Sequence, residues 1–403
     1  MASLKKTFGT GLLLGVAAGA VWVAGRRFLE KTSRLIDWGQ VRRIAIATSR
    51  KATSDQPAAI PHKEERREHY AEMVRRAERP IADYTGKTLP RPLDAIYIFD
   101  RADWIDANIA NFQLLFKPFE EMNQEALRYG SVGVKLAGEV NQIVISSQLG
   151  LLMGYLAQRV LGQYDLSVLG REPVTNGRLY FVEPNISALR ERLSLDANEF
   201  EMWIVLHETT HAYEFEANPW LQGYMNSLLT RYFQTISKDF GGMQWGSSGV
   251  RSLVSRIGSN IFTSGNVLEM MMTPEQRHIF QQLQALMCLL EGFSNHIMQE
   301  IGKTILPSYE CLKERFDERG KNKSAAERLF TKLTGLDIKM EQYALGERFV
   351  NDIVERRGVE FVNQVWQSPL SLPTMDEVRT PDKWIKRMER MAIGEAPTHR
   401  SEL

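Results

Sequence analysis

Apolar residues recur at helical spacing along most of this chain, and the departures from that spacing are few. From Leu35 the pattern reads as helix, polar break, helix. The break at Thr53 to Pro61 is rich in Ser, Asp and Pro and predicts a loop. "LDAIYIFD" (Leu93 to Asp100) and "GRLYFVEPN" (Gly177 to Asn185) are short, rich in Ile, Tyr and Phe, and predict strands. Between them lie "WIDANIANFQLLFKPFEEM" and the apolar "QIVISSQLGLLMGYLAQRVLG", both helical in pattern. From Leu195 to about Val365 the chain reads as almost wholly helical. After Pro373 it is polar and charged, with one short helical stretch, "DKWIKRMERM". No internal repeat interrupts this order, and the predicted class is mainly α with a small β component.

One segment breaks the amphipathic rule. "FGTGLLLGVAAGAVWVAG" (residues 8–25) carries no charge and is bracketed by Lys5 and Lys6 before and Arg26 and Arg27 after. A membrane-spanning helix needs about 20 apolar residues, with about 17 as the lower limit. Three readings compete: a membrane anchor, a cleaved secretory signal and a soluble apolar helix. The arginines that follow at once argue against cleavage. The excess of Arg26, Arg27, Lys31 and Arg34 over the basic residues ahead favours an anchored protein with its body cytoplasmic. The expected organisation is an anchor or signal-like segment over 1–30, then one domain over 31–387. Within it, 31–92 form a helical part and 93–375 a core, and a polar tail occupies 388–403.

Composition narrows the chemistry. Fifty basic residues stand against 49 acidic ones, which argues against a nucleic-acid partner bound through bulk charge. The two cysteines, Cys288 and Cys311, are far apart in sequence and form no C-x-x-C pair. Any bound metal must therefore be held by nitrogen and oxygen.

Such ligands occur in "IVLHETTHAYEFE" (Ile204 to Glu216). Asp196 followed by Glu199 fits a capping box, so a helix should begin just before Phe200 and run until Pro219 approaches. On it, His207 and His211 lie one turn apart on one face, where two imidazoles can take adjacent corners of a zinc tetrahedron. Glu208 is rotated aside, placed to act on a water as general base. A core histidine satisfied by a neighbour would explain one of these residues; it explains two with a glutamate between them less naturally.

A catalytic zinc keeps three protein ligands. The pattern H-E-x-x-H-x-x-G-x-x-H would require Gly and His where this chain has Glu214 and Ala217, so the third ligand must come from elsewhere. The leading candidate is Glu291, a lone acid in the apolar "LQALMCLLEGFSNHIMQEIG", where burial without a partner would be costly. Asn295 shares its helical face and is placed to accept a hydrogen bond from the far nitrogen of a liganding histidine. His296 is a rival ligand, about 140° around the helix from Glu291, and a candidate oxyanion donor. Glu269 is a second rival. Tyr213, Tyr309 and Tyr343 are further oxyanion candidates, and Arg315 and Arg348 are candidates for binding a substrate carboxylate.

"LAQRVLGQYDL", "GRLYFVEPNI", "LHETTHAYEFEANPWL", "QALMCLLEGFSNHIM" and "VWQSPLSLPT" together resemble a bacterial zincin-like family of zinc-dependent metalloproteases or hydrolases. In actinobacteria that family is tied to biosynthesis of a deazaflavin coenzyme. The resemblance runs from about Ile36 to Arg387. It implies a zincin-like metalloprotease fold, His207 and His211 as Zn2+ ligands, Glu208 as base, and Glu291 completing a gluzincin-type site that acts on a peptide or amide substrate. The family often has an acid where this chain has Asn295. A non-catalytic zinc-binding scaffold of the same fold is the alternative. An intact Glu208 argues against it, because a structural zinc needs no adjacent base.

Overall fold

The computed structural model describes residues 34–51, 60–129, 132–165, 177–241, 272–321 and 336–394. The apolar run at 8–25 and Glu269 lie outside them. The protein is mainly α with one small sheet. Helices α1 (Trp38–Lys51) and α2 (Lys63–Thr85) lead into strand β1 (Ile96–Phe99) and the long helices α3 (Arg101–Tyr129) and α4 (Val132–Ala157). Strands β2 (Gly162–Asp165) and β3 (Arg178–Val182) follow, then α5 (Glu183–Leu193), α6 (Ala197–Glu216), α7 (Trp220–Gly241), α8 (Pro274–Ile305), α9 (Tyr309–Lys321) and α10 (Leu336–Arg357). Short helices α11 (Val359–Val362), α12 (Met375–Arg379) and α13 (Pro381–Ala392) close the described chain.

Both predicted strands form, and they pair in parallel with Ile98 opposite Phe181. The third strand, β2, has no counterpart in the sequence reading, whose helical segment ends at its first residue, Gly162. "GQYD" is too short and too polar to show alternation, and it is a strand because it pairs antiparallel with β3, Gly162 opposite Phe181. The sheet order is β1-β3-β2, which leaves β2 at an edge.

Two hydrophobic cores flank the sheet. The larger gathers α2, α6, α8, α10 and the C-terminal helices around residues such as Ile98, Phe181, Phe200 and Phe349. The smaller joins α1, α3 and α4 through Ile36, Trp104, Ile105 and Met153, and includes Val182 at the end of β3. Met388, at the start of the expected polar tail, is buried in the larger core together with Trp384 of the same helix, α13, because the charged residues of this helix occupy only its outer face.

Helix ends follow the local chemistry. Asp196 caps α6 by accepting from the Glu199 amide at 3.0 Å. The reciprocal half of the expected box is not made; the Glu199 carboxylate accepts instead from the Ser308 amide at 2.7 Å, tying α6 to the start of α9. A full capping box at Thr273 and Gln276 starts α8.

Helices α8 and α10 approach closely where each has a glycine. A Cβ on Gly346 would stand 1.8 Å from the Cys288 carbonyl oxygen, and one on Gly292 would stand 2.2 Å from the Gly346 carbonyl carbon. Backbone atoms cannot yield as side-chain tips can. Gly346→Ala should therefore lower unfolding stability by about 1–3 kcal/mol. Gly223→Ala, exposed on α7 with nothing within 4 Å, should be neutral or stabilising by up to about 1 kcal/mol. Equal urea midpoints for the two variants would refute this packing.

Candidate metal centre

Helix α6 is buried on almost every side, from Phe200 to Phe215. Its ionisable residues therefore need partners delivered by neighbouring elements. Near its start, Glu201 is 1% exposed. It accepts hydrogen bonds from Arg66 Nη2 at 2.7 Å and His69 Nε2 at 2.8 Å, both on α2. Arg66 also reaches Glu183 on α5 at 3.0 Å. This cluster fixes α6 between α2 and α5 ahead of the motif.

His207 and His211 follow at one-turn spacing, with ring centroids 4.7 Å apart and planes at 82°. Glu291 arrives from α8, its Oε2 3.7 Å from His207 Nε2. One ligand-type atom from each of His207, His211 and Glu291 lies within 4.8 Å of the others. Zinc ligands at about 2.0–2.2 Å on tetrahedral corners stand roughly 3.4 Å apart. Two nitrogens and one carboxylate oxygen at this spacing suit that ion.

The far nitrogen of His211 is fully engaged. Its Nδ1 donates to Glu214 Oε2 at 2.8 Å. Ser294 on α8 lies 3.1 Å from the same nitrogen and donates to Glu214 Oε1 at 3.2 Å. Nε2 is thereby left to face the cluster. The acceptor on His211 is thus Glu214, three residues along the same helix. Asn295, expected to accept from the far nitrogen of a liganding histidine, is half-buried beside Ser294, and on His211 that place is taken by Glu214. Glu214 gave a sequence signal, an acid one turn past His211 on an apolar helix, but it drew notice only as a mismatch to another spacing.

Glu208 turns away towards β2. The Tyr164 amide donates to its Oε2 at 3.0 Å, and a Cβ on Gly162 would come within 2.6 Å of its Cγ. Only glycine lets the edge strand lie this close to the carboxylate. Glu216 ties the strand ends together, accepting from Tyr164 Oη at 2.8 Å and from the Gly177 amide at 2.6 Å.

Burial governs the protonation of these groups. It lowers the His207 pKa to about 3, with His211 adding to the effect, so this imidazole is neutral and its lone pair is available. Burial raises Glu208 to about 7; Glu291 adds to the rise, while His211 and the Tyr164 amide oppose it. For His211, burial works against the cation, but the Glu214 carboxylate outweighs it and raises the pKa.

The remaining candidates have other engagements. His296 is buried between helices: its Nδ1 donates to Asn351 Oδ1 on α10 at 2.6 Å, and its Nε2 accepts from the Tyr84 hydroxyl on α2 at 2.7 Å. Tyr213 Oη donates to the Glu78 carbonyl at 2.9 Å. Tyr309 packs over Gly302. Arg315 donates to the Ser194 carbonyl at 2.6 Å and to Leu193, closing the end of α5. Arg348 is exposed on α10. The Tyr343 side chain lies outside the described residues.

Two predictions follow from this geometry. Glu214→Gln keeps the shape but loses the charge on Nδ1, and should weaken zinc affinity about 10- to 100-fold in a chelator competition; unchanged affinity would remove Glu214 from the centre. The second concerns His296, whose pKa burial lowers in the folded protein. The unfolded chain therefore binds more protons, so the contribution of His296 is complete above about pH 6.5 and is lost as pH falls through that value towards the folded pKa. His296→Gln should flatten the drop in urea midpoint between about pH 7.5 and 5, and an unaltered slope would contradict it.

The zincin-like metallopeptidase family profile matches residues 36–385, and the chain belongs to that family. A search of curated proteins gives no match. Among solved structures, the chain is similar to a crystal structure from Chloroflexus aurantiacus described as a candidate hydrolase with a novel fold. Identity is 39%, the match covers 88% of this chain and 99% of the other, and the TM-score is 0.65.

Proposed function

From membership of the zincin-like metallopeptidase family we propose that this protein is a zinc-dependent hydrolase that cleaves peptide or amide bonds. The observation that carries the reading is the convergence of His207, His211 and Glu291 beside a separately held Glu208. His207 and His211 would hold the ion from α6, and Glu291 would hold it from α8. Once bound, zinc supplies the Lewis acidity that polarises the scissile carbonyl and activates water.

The protein's own groups manage the protons. Glu208, buried and with its pKa raised to about 7, is matched to accepting a proton from the attacking water and passing it to the leaving amine near neutral pH. The Tyr164 amide holds one carboxylate oxygen and so sets the direction of the other. Glu214 and Ser294 hold the His211 ring in one tautomer and orientation. A site built only for structural zinc would have no use for a base anchored apart from the ligands, which disfavours the scaffold alternative.

Glu208→Gln should retain about one zinc per chain while lowering hydrolysis of a quenched peptide library by about 10²–10⁴-fold. His207→Ala or His211→Ala should lose the metal as well. Wild-type turnover by Glu208→Gln, or purified protein without zinc, would refute the assignment. Inactivity of every form across peptide, ester and acyl-amide panels would favour the scaffold.

A further inference from the structure

Gln163 stands in strand β2 between the two residues that meet Glu208. On one side, a Cβ on Gly162 would come within 2.6 Å of Glu208 Cγ and 2.8 Å of its Oε1. On the other, the Tyr164 amide donates to Oε2 at 3.0 Å. Both carboxylate oxygens therefore lie against the backbone of one four-residue strand. Whatever fixes that strand also fixes the carboxylate.

The ladder shows how the Tyr164 amide comes to face Glu208. Just ahead of β2, the Val182 amide donates to the Leu161 carbonyl at 2.8 Å. Antiparallel pairs alternate between bonded and non-bonded. Gln163 and Tyr180, which stand opposite each other, are thus the next bonded pair, and the Tyr164 amide points away from β3 at the sheet edge.

The Gln163 side chain leaves towards α3 and makes a second set of bonds. Its Oε1 accepts from Trp104 Nε1 at 2.7 Å and from Asn108 Nδ2 at 3.3 Å, and its Nε2 donates to Asn108 Oδ1 at 3.4 Å. Asn108 Nδ2 also donates to the Trp104 carbonyl at 2.9 Å. Trp104 and Asn108 are buried, which strengthens such a network. The first turn of α3 is itself fixed directly after β1. There the Asp103 amide donates to Asp100 Oδ1 at 2.7 Å and the Asp100 amide to Asp103 Oδ2 at 3.1 Å. A continuous path runs from β1 through the start of α3 to Gln163, and from its backbone neighbours to both oxygens of Glu208.

We propose that Gln163 is a positioning residue for Glu208: bonded to Trp104 and Asn108, it sets through the β2 backbone where the carboxylate points. Its consequence for turnover rests on the hydrolase reading above; its geometry rests on the Tyr164–Glu208 hydrogen bond alone. The simpler use for such a glutamine is to satisfy a buried indole. That use predicts an effect on stability and none on Glu208.

Gln163→Met keeps the length of the side chain and removes its hydrogen bonds. On a quenched peptide that the wild type cleaves, it should lower kcat per bound zinc by about tenfold, with KM and zinc content unchanged. Trp104→Phe should do the same, and adding Gln163→Met to it should have little further effect, because the bond is already gone. Met153→Ala thins the smaller core from α4; it should lower the urea midpoint and leave kcat per zinc unchanged. Residue-resolved hydrogen exchange reads the Tyr164 amide without turnover. In Gln163→Met that amide should exchange about tenfold faster, towards its rate in Glu208→Ala. The proposal is overturned if kcat holds in Gln163→Met, if Met153→Ala lowers it equally, or if the two effects multiply in the double variant. A rise in KM alone also overturns it, since β2 would then be a substrate contact. A wild type that cleaves nothing refutes the hydrolase reading separately; the exchange measurement still decides the positioning, and an unchanged Tyr164 rate overturns it.

Discussion

The structure depends on the cost of burying ionisable groups along a single helix. Helix α6 carries Glu201, His207, Glu208, His211 and Glu214 within four turns, and its apolar residues leave it almost no solvent-facing side. An isolated charge in such surroundings would cost several kcal/mol or be neutralised. Neighbouring elements deliver the partners that prevent this: Arg66 and His69 from α2, the Tyr164 amide from β2, and Ser294 and Glu291 from α8. The placement of those three elements around α6 is the fold's main architectural fact.

The partners are not equal, and the inequality separates structure from chemistry. Glu201 has two cationic or hydrogen-bonding partners at 2.7 and 2.8 Å and sits furthest from the motif. Glu214 is saturated by His211 and Ser294. Glu208, by contrast, has one backbone amide, and His207 faces the Glu291 carboxylate at 3.7 Å, beyond hydrogen-bond length. Groups left partly satisfied inside a buried site are the ones with capacity for a ligand and a proton. The same contrast explains why burial moves His207 and Glu208 in opposite directions on the pH scale, each towards its neutral form.

What the sequence disclosed follows from the range of each signal. Helix periodicity, the strands over Leu93–Asp100 and Gly177–Asn185, and the spacing of His207, Glu208 and His211 are local properties, and they were legible. Glu291 could be singled out because an acid inside an apolar helix demands an explanation. Strand β2 was not legible, because four residues gain their conformation from pairing with β3. Nor was the clamp on Glu201, since a helix buried all round has no polar face against which one more acid stands out. Glu214 was visible but ambiguous: its role depends on the His211 rotamer and on Ser294, which is 80 residues away in sequence.

Strand β2 also explains how two cores act as one frame. Successive side chains of a strand point to opposite faces. Gln163 accepts from Trp104 Nε1 on α3 at 2.7 Å and is within 3.3 Å of Asn108, on the side of the smaller core. Gly162 and Tyr164 face Glu208 on the side of the larger one. Val182, at the end of the partner strand, packs into the smaller core while Leu179 and Phe181 pack into the larger. A short edge strand would ordinarily be free to shift, yet this one is fixed from both faces and at both ends, the latter through Glu216 on Tyr164 and Gly177. Such over-determination suits the general-base role proposed for Glu208, whose carboxylate would need to be held by a backbone amide that does not move when substrate arrives. Under the proposed function, the smaller core would therefore contribute to the chemistry without touching it, by holding in place the strand that aims Glu208.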